Sequence, residues 1–323
     1  MAKQGLFINF RPKEICIIDS VYTLLLYLIV KRAEVSDILF LFHLHIPNHL
    51  AEHFQYVRSH SGGKYLRSRR YIFQNYYHAL RFHFFMLINK LYGLKAGGND
   101  HLPLSRRLIN RKECYFEEYE DGSSNYSEIE GVSHMDNTPL NRFLLMDVEQ
   151  RFGRSVKVKK VYLTHSELTP PVSVRNKVEW VDLKASWESL PDKKRKWILD
   201  LYKIPAREEL EGRHIILMTR PFSEFFLGSE EEKVKSFMDS LENVDKTDLI
   251  VKPHYIETTD YKKFFPECVV IKGQFPIELL CLAYGSIIKQ IITIGNCSAE
   301  PFFRRYYPEI LYTKIQSDRY DSF

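Results

Sequence analysis

The sequence predicts an α/β protein made of two successive domains in which strands and helices alternate. Its 323 residues are too many for one small core and suit two domains of ordinary size. Short apolar runs alternate with helical patterns on both sides of a loosely patterned stretch that begins at Thr169-Pro170-Pro171. We therefore expect two Rossmann-like domains facing each other across a cleft, residues 1–168 and residues 169–323, with the last helix able to pack back on the first domain.

Composition narrows the class of protein. Hydrophobic residues make up 45% of the chain and charged residues 27%, which is typical of a folded soluble protein. The net charge of +5 suits an anionic ligand or a membrane surface, but it does not by itself indicate nucleic acid. The five cysteines are scattered without a CxxC pair, which indicates a reducing compartment and no cysteine-based zinc site.

The apolar run Ile15–Val30 is the best candidate for a membrane span, and it is too short. Asp19 interrupts it, and a span needs roughly 18 to 20 apolar residues. The sequence therefore predicts a cytoplasmic protein, with peripheral contact at the inner face of the cytoplasmic membrane left open.

The first domain opens with a strand and a helix. Ile15–Ile18 is a buried-strand candidate, Asp19 or Ser20 is the expected N-cap, and Val21–Arg32 has a helical pattern. The apolar core of Asp37–His43 predicts the next strand. This order is typical of the first unit of a doubly wound domain.

Four further elements complete the expected first domain. Tyr71–Leu91 is predicted to be an aromatic-rich helix that ends at a group of glycines. The predicted elements after it are a strand at Tyr115–Tyr119, a helix at Asn137–Phe152 and a strand at Val156–Leu163.

In the second domain the alternation of strands and helices resumes. Predicted strands cover His214–Thr219, Asp248–Val251, Cys268–Ile271 and Ile287–Ile294. Predicted helices cover Glu230–Leu241 and Leu279–Tyr284.

A polar turn, Glu120-Asp121-Gly122, follows the predicted strand Tyr115–Tyr119. A carboxylate at the carboxyl end of a strand lies where open α/β sheets bind ligands. Gly122 permits a sharp turn, and Ser123, Ser124 or Asn125 could cap the next one. An acidic surface turn is the alternative for so short a motif.

Three polar runs follow strands or open helices in the second domain: Lys252-Pro253-His254, Pro276-Ile277-Glu278 and Cys297-Ser298. Because the carboxyl ends of parallel strands share one edge of a sheet, these runs are expected to converge. We assign six residues to the binding of a nucleotide-activated donor substrate: Thr219, Lys252, Pro276, Glu278, Cys297 and Ser298.

Each residue type suits group transfer from a nucleotide-activated donor. Lys252 and His254 offer positive charge and a hydrogen-bond donor, Ser298 could hold phosphate at a helix start, and Glu278 could bind ribose hydroxyls. Asp121 could take a proton from an acceptor hydroxyl. The alternatives are a surface histidine at 254, a helix-dipole partner at 278 and a plain N-cap at 298.

Two other clusters carry weaker hypotheses. His43, His45, His49 and His53 could form a metal site, but the segment lacks HExxH, and we expect no metal. The basic residues around Ser61-Gly62-Gly63, namely Arg58, Lys64, Arg67, Arg69 and Arg70, form either a solvated loop or a contact with an anionic acceptor or anionic lipid head groups.

The motifs Glu120-Asp121-Gly122, Lys252-Pro253-His254, Pro276-Ile277-Glu278 and Ser298, in this order, resemble those of bacterial sialyltransferases of GT-B fold. The lipooligosaccharide sialyltransferase family is the nearest resemblance, with capsular polysialyltransferases as relatives. The resemblance covers roughly residues 15–310 and implies a GT-B-like fold.

By this resemblance Asp121 is the general base on the acceptor hydroxyl, with Glu120, Gly122 and Ser123 in support. His254 donates to the donor phosphate, Ser298 holds that phosphate, and Glu278 lies near the cytidine ribose. Two positions depart from the family pattern. Tyr255 replaces the proline that follows the histidine, and Cys297 replaces a second hydroxyl beside Ser298.

The function implied is inverting, metal-independent transfer of sialic acid from CMP-sialic acid to a hydroxyl, expected to be that of galactose, of a bacterial surface glycan. This places the chain in lipooligosaccharide or capsule biosynthesis, with a membrane-linked acceptor and a homodimer left open and no nucleic-acid partner. The alternatives are a GT-B transferase for another CMP-sugar, such as CMP-Kdo, and a non-catalytic polyanion-binding protein.

Overall fold

Parallel β-sheets organise both halves of the chain in this computed structural model. The structure describes residues 10–31, 35–43, 45–58, 69–110, 114–127, 151–224, 228–254, 257–271, 274–295 and 297–315. Within these ranges the chain divides into two units, Met1–Leu190 and Pro191–Phe323.

The first unit contains a seven-stranded sheet in the order β3-β2-β1-β4-β5-β6-β7, with every neighbouring pair parallel. Its strands are β1 (Glu14–Ile18), β2 (Ile38–Phe42), β3 (Tyr56–Arg58), β4 (Lys95–Gly98), β5 (Phe116–Tyr119), β6 (Val158–Leu163) and β7 (Val178–Trp180). Its helices are α1 (Val21–Val30), α2 (Asn48–Ala51), α3 (Arg69–Ile88), α4 (Pro103–Ile109), α5 (Val172–Arg175) and α6 (Leu183–Glu188).

The central strands are apolar because both faces of the sheet are covered. β2 is buried along its whole length, as is β1 after its first residue, and continuous apolar runs are typical of parallel strands buried on both faces. α1 follows directly, with the hydroxyl of Ser20 accepting the amide hydrogen bond of Thr23 as an N-cap.

β4 lies beside β1 because Gly98 has no side chain. Its φ is +118°, and a Cβ at this position would lie 1.9 Å from the carbonyl oxygen of Ile17. The two strands pair from Glu14↔Lys95 to Ile17↔Gly98. Only glycine satisfies both the backbone conformation and the close approach.

The second unit contains a five-stranded parallel sheet in the order β10-β9-β8-β11-β12. Its strands are β8 (Ile215–Met218), β9 (Leu249–Lys252), β10 (Val269–Val270), β11 (Gln290–Ile294) and β12 (Leu311–Ile315). Its helices are α7 (Asp192–Tyr202), α8 (Glu230–Ser240), α9 (Ile277–Tyr284) and α10 (Glu300–Tyr306). Leu217, Phe237, Val251 and Ile292 belong to its core.

The strand order of each sheet reverses at one point. In the first sheet the order reverses between β1 and β4, and in the second between β8 and β11. Open parallel sheets bind ligands outside the carboxyl ends of the strands at such switch points.

The sequence-predicted α/β class and most elements are confirmed, with three differences. β7 pairs with β6, so residues 169–190 group with the first unit, whereas we expected them in the second. β4 occupies the glycine-rich segment that was expected only to end a helix. β12 follows the strand expected to be the last.

Residues 137–150 of the expected helix Asn137–Phe152 lie outside the described residues. None of the described helices combines the length and the apolarity needed to cross a membrane.

Candidate active site

Asp121 lies two residues after the end of β5 and directly before a 3₁₀ turn, Gly122–Asn125. Its backbone amide donates a 2.7 Å hydrogen bond to Oδ1 of the buried Asn125. Gly122 has a φ of +77°, which provides the turn expected from the sequence. Of the three residues expected to cap this turn, Asn125 makes the hydrogen bond, while Ser123 and Ser124 are exposed.

The carboxylate of Asp121 is partly open, with 20% of its side chain exposed. The hydroxyl of Thr23 donates to its Oδ1 at 3.3 Å, and Nε2 of His101 lies 3.6 Å from its Oδ2. A carboxylate that is oriented by donors and still reaches solvent can accept a proton from a hydroxyl.

His101 is a candidate that the sequence reasoning missed. It follows β4 after Asn99 and Asp100, so it lies on the same sheet edge as Asp121. The side chain of Asn99 accepts from the amide of Asp19 at 2.9 Å and donates to Thr23 at 3.1 Å. The polar run directly after two glycines was the signal that could have identified this strand end.

Glu120 does not share the exposure of its neighbour, because its side chain is fully buried. Its Oε2 accepts hydrogen bonds from the amide of Thr164 at 2.6 Å, from the hydroxyl of Thr164 at 2.8 Å and from Tyr126 at 2.9 Å. Glu120 therefore ties the end of β5 to the end of β6.

A second cluster on this edge joins Asp19, which follows β1, to two histidines that follow β2. Nδ1 of His43 lies 2.6 Å and Nδ1 of His45 2.9 Å from the same oxygen, Asp19 Oδ1. Burial opposes ionisation of Asp19, but the two histidines outweigh it and hold its pKa well below the usual range. The hydrogen bond to Asp19 raises the pKa of His45.

Asp19, His43 and His45 are the residues of the described chain whose ligand atoms are close enough to hold a metal ion. The sequence hypothesis grouped His43 and His45 with His49 and His53, which do not belong to this group. Both imidazoles contact the same carboxylate oxygen of Asp19.

In the second unit, His254 lies two residues beyond the end of β9 and is half-buried. Its backbone amide donates to the carboxylate of Glu257 at 2.6 Å and contacts the hydroxyl of Thr219 at 3.3 Å. The hydroxyl of Thr219 itself donates to Glu257. Thr219, expected to bind the donor, thus also holds the segment that carries His254.

Lys252, Glu278 and Cys297 influence one another electrostatically, so these three side chains lie in one neighbourhood of the second unit. Burial lowers the pKa of Lys252 to about 8, and burial raises that of Glu278 to about 7. Burial likewise raises the pKa of Cys297 to about 11. The ammonium of Lys252 lies 4.7 Å from the ring centroid of Phe275, which precedes the N-cap residue of α9, Pro276.

Ser298 is exposed in the segment between β11 and α10, after one of the two strands that flank the switch point. It is not the N-cap of α10, because Ala299 holds that position and makes no side-chain cap hydrogen bond. Tyr255 and most of the basic segment, residues 59–68, lie outside the described residues.

Comparisons with known proteins agree with this architecture. The sequence profile of glycosyltransferase family 52 matches residues 67–294. An uncharacterised protein of Haemophilus influenzae is 31% identical over 204 residues, which cover 62% of this chain and 63% of that protein. The match therefore spans less than two thirds of that relative.

Among solved structures, the chain is similar to an α/β-galactoside α-2,3-sialyltransferase from the luminous marine bacterium Photobacterium phosphoreum. The TM-score is 0.56 at 13% identity, covering 96% of this chain and 92% of that one. A UDP-GlcNAc 2-epimerase from Methanocaldococcus jannaschii gives a TM-score of 0.46 at 11% identity, covering 96% and 89%. The first likeness confirms the GT-B-like fold.

Proposed function

The chain belongs to glycosyltransferase family 52, and we propose that it transfers sialic acid from CMP-sialic acid to a hydroxyl of a bacterial surface glycan, with galactose as the expected acceptor residue. The observation that carries the proposal is Asp121, a partly open carboxylate held at the carboxyl end of a parallel strand. The likeness of fold to a sialyltransferase supports the choice of reaction.

In the proposed reaction the acceptor oxygen attacks the anomeric carbon of sialic acid while the bond from that carbon to the phosphate oxygen of CMP breaks. Asp121 takes the proton of the acceptor hydroxyl, and His254 donates to the departing phosphate. Attack from the face opposite the leaving group inverts the anomeric configuration. No divalent metal is required in this scheme, because the cationic and hydrogen-bonding groups of the protein stabilise the leaving phosphate.

Donor binding is assigned to the second unit. Lys252 supplies a positive charge in a buried setting, and Glu278, in the first turn of α9, is the proposed acceptor for the ribose hydroxyls. Ser298, with the backbone amides near it, is the proposed phosphate contact. Pro276 and Cys297 complete the proposed set.

Calorimetric titration with CMP in excess EDTA tests this proposal, with UDP and GDP as controls. We expect selective CMP binding without metal, followed by transfer from CMP-sialic acid to a galactoside. Binding of UDP alone would contradict the donor. Transfer from CMP-Kdo and not from CMP-sialic acid would favour the alternative sugar, and folded protein that binds no nucleotide would favour a polyanion-binding role.

We also propose peripheral contact with a membrane that carries the acceptor. Large apolar side chains at helical spacing are exposed along α3: Tyr77, Leu80, Phe84, Leu87 and Ile88. Co-sedimentation with vesicles that contain anionic lipid is the expected result, and Phe84→Glu is expected to weaken it. A dimer that buries this face instead would appear as a doubled mass in light scattering, lost in the same variant.

A further inference from the structure

Glu257 makes several buried contacts next to His254. Its side chain is fully buried, and Oε2 accepts the backbone amide of His254 at 2.6 Å and the hydroxyl of Thr219. Its Oε1 accepts the hydroxyl of Tyr261 at 2.6 Å and lies 3.6 Å from the ammonium of Lys233. One carboxylate thus joins the residue after β8, the segment after β9, the 3₁₀ turn Tyr261–Lys263 and α8.

The link between Glu257 and His254 is reciprocal. The amide of Glu257 donates to the carbonyl oxygen of His254 at 2.9 Å, while the amide of His254 donates to the carboxylate of Glu257. Two hydrogen bonds therefore join residues 254 and 257, one of them to an ionisable group. This closure fixes the backbone from which the imidazole of His254 projects.

Charge makes this closure costly to disturb. Lys233 is fully buried beside Glu257 and pairs with Glu224 at 3.0 Å and Glu230 at 2.9 Å. Burial raises the pKa of Glu257, while the hydrogen bonds from Thr219, Tyr261 and His254 oppose that rise. Two of these neighbours, the backbone amide of His254 and the ammonium of Lys233, can only donate, so an amide in place of the carboxylate would keep one acceptor oxygen for them and lose the negative charge.

We propose that Glu257 is a positioning residue for the proposed transfer reaction, setting the orientation of His254 through the backbone of residue 254 and the hydroxyl of Thr219. The inference rests on the proposed function. The carboxylate touches neither donor nor acceptor in this scheme and acts on turnover only through His254. The spacing of three residues between histidine and glutamate is the sequence signal of this arrangement.

Glu257→Gln is the primary test, because it keeps size and removes the second acceptor oxygen and the charge. We expect kcat to fall by on the order of 10- to 100-fold, since small misplacement of a reacting group costs up to about 10²-fold. The acceptor KM is expected to stay within about threefold, because Glu257 contacts Thr219 and His254 on the donor side and not Asp121.

Glu230→Gln is the matched control. Glu230 also pairs with Lys233, and its side chain is 40% exposed. It accepts hydrogen bonds from the hydroxyls of Ser223 and Thr259, which lie outside the segment 254–257. We expect a change in kcat of less than about threefold, since the ion pair is partly solvated. An equal fall in both variants would mean that the charge network supports folding in general, and would overturn the positioning role.

A double-variant cycle separates positioning from folding. His254→Ala alone is expected to lower kcat by about 10²- to 10⁴-fold. Glu257→Gln added to His254→Ala should then change kcat less than about twofold, because the group that it positions is gone. Full additivity of the two losses would contradict the proposal.

Folding is followed by thermal unfolding of each variant. If Glu257→Gln does not fold, Glu257→Asp, which keeps the charge and shortens the reach, is measured instead, and an unchanged kcat there would overturn the inference. Failure of the proposed function has a different signature, since the wild-type protein would then neither bind CMP nor transfer. A wild-type enzyme that transfers normally beside an equally active Glu257→Gln variant would defeat only the positioning role.

Discussion

Two adjacent carboxylates at the end of β5 have different surroundings and hence different tasks. Glu120 is buried and accepts from Thr164 and Tyr126, so it is engaged in holding the sheet edge together. Asp121 keeps part of its side chain exposed beside His101. The sequence identified the pair as a polar turn, but only the contacts across β5 and β6 assign one residue to structure and the other to the proposed chemistry.

Asp121→Ala is expected to remove most transfer activity, because the acceptor hydroxyl loses its proton acceptor. The CMP dissociation constant, measured by calorimetry, should stay within about twofold, since Asp121 belongs to the first unit and CMP binding is assigned to the second. Ser124→Ala, at an exposed neighbour in the same turn, is the matched control and should retain activity. Full turnover by Asp121→Ala would refute the base role.

The pKa of Lys252, lowered to about 8 by burial, predicts that CMP binding weakens at alkaline pH. Above pH 8 the ammonium loses its proton and its attraction for phosphate, so the dissociation constant should rise on the order of tenfold between about pH 7 and pH 9. CMP itself does not titrate there, because its second phosphate pKa is about 6.

Lys252→Arg provides the control for this pH dependence. Its guanidinium stays charged throughout the range, so the part of the alkaline rise that Lys252 causes should disappear. A smaller rise that remains is expected from Glu278, whose pKa burial raises to about 7. An unchanged alkaline rise in the arginine variant would assign the effect elsewhere.

At the scale of elements, β4 shows why local sequence patterns do not predict every strand. Two of its four residues are glycines, which are rare in strands, so the segment resembles a helix terminator. Its strand character comes from pairing with β1 and β5, which no local pattern encodes. β1 and β2 were predicted because strands that are buried on both faces consist of consecutive apolar residues, which are visible in the sequence.

The residues of the candidate site also fall into two groups, those that the sequence indicated and those that only the structure shows. Asp121 and His254 were identified because polar residues directly after apolar strands are visible in the sequence. Glu257 and Thr23 were missed, since their importance comes from contacts with residues far along the chain, Thr219 for the first and Asn99 for the second.

Gly98→Ala is expected to destabilise the first unit by about 3 kcal/mol or more, because the new Cβ would clash with the carbonyl oxygen of Ile17. Gly93→Ala is the control, because Gly93 also has a positive φ of +94° but leaves open space within 4 Å of the point where a Cβ would lie. It should cost about 1 kcal/mol. Urea unfolding measures both, and equal losses would show that backbone strain, not the close approach, dominates.

At the scale of the whole molecule, two units imply two unfolding transitions. Trp187, in α6, reports on the first unit and Trp197, in α7, on the second. The experiment uses variants that keep one of these two tryptophans. CMP at about 100 times its dissociation constant should raise the free energy of unfolding reported by Trp197 by about 2.7 kcal/mol and leave that reported by Trp187 unchanged. A common shift would show that the units unfold together.

The pairing of β1 with β4 also has a consequence for synthesis on the ribosome. Asp19, at the end of β1, is 80 residues from Asn99, which binds it after β4. At roughly 5–20 residues per second, about 4–16 s pass before this partner is made. During that interval the apolar edge of β1 has no neighbour on its β4 side, so the nascent chain depends on protection from association until the fourth strand emerges.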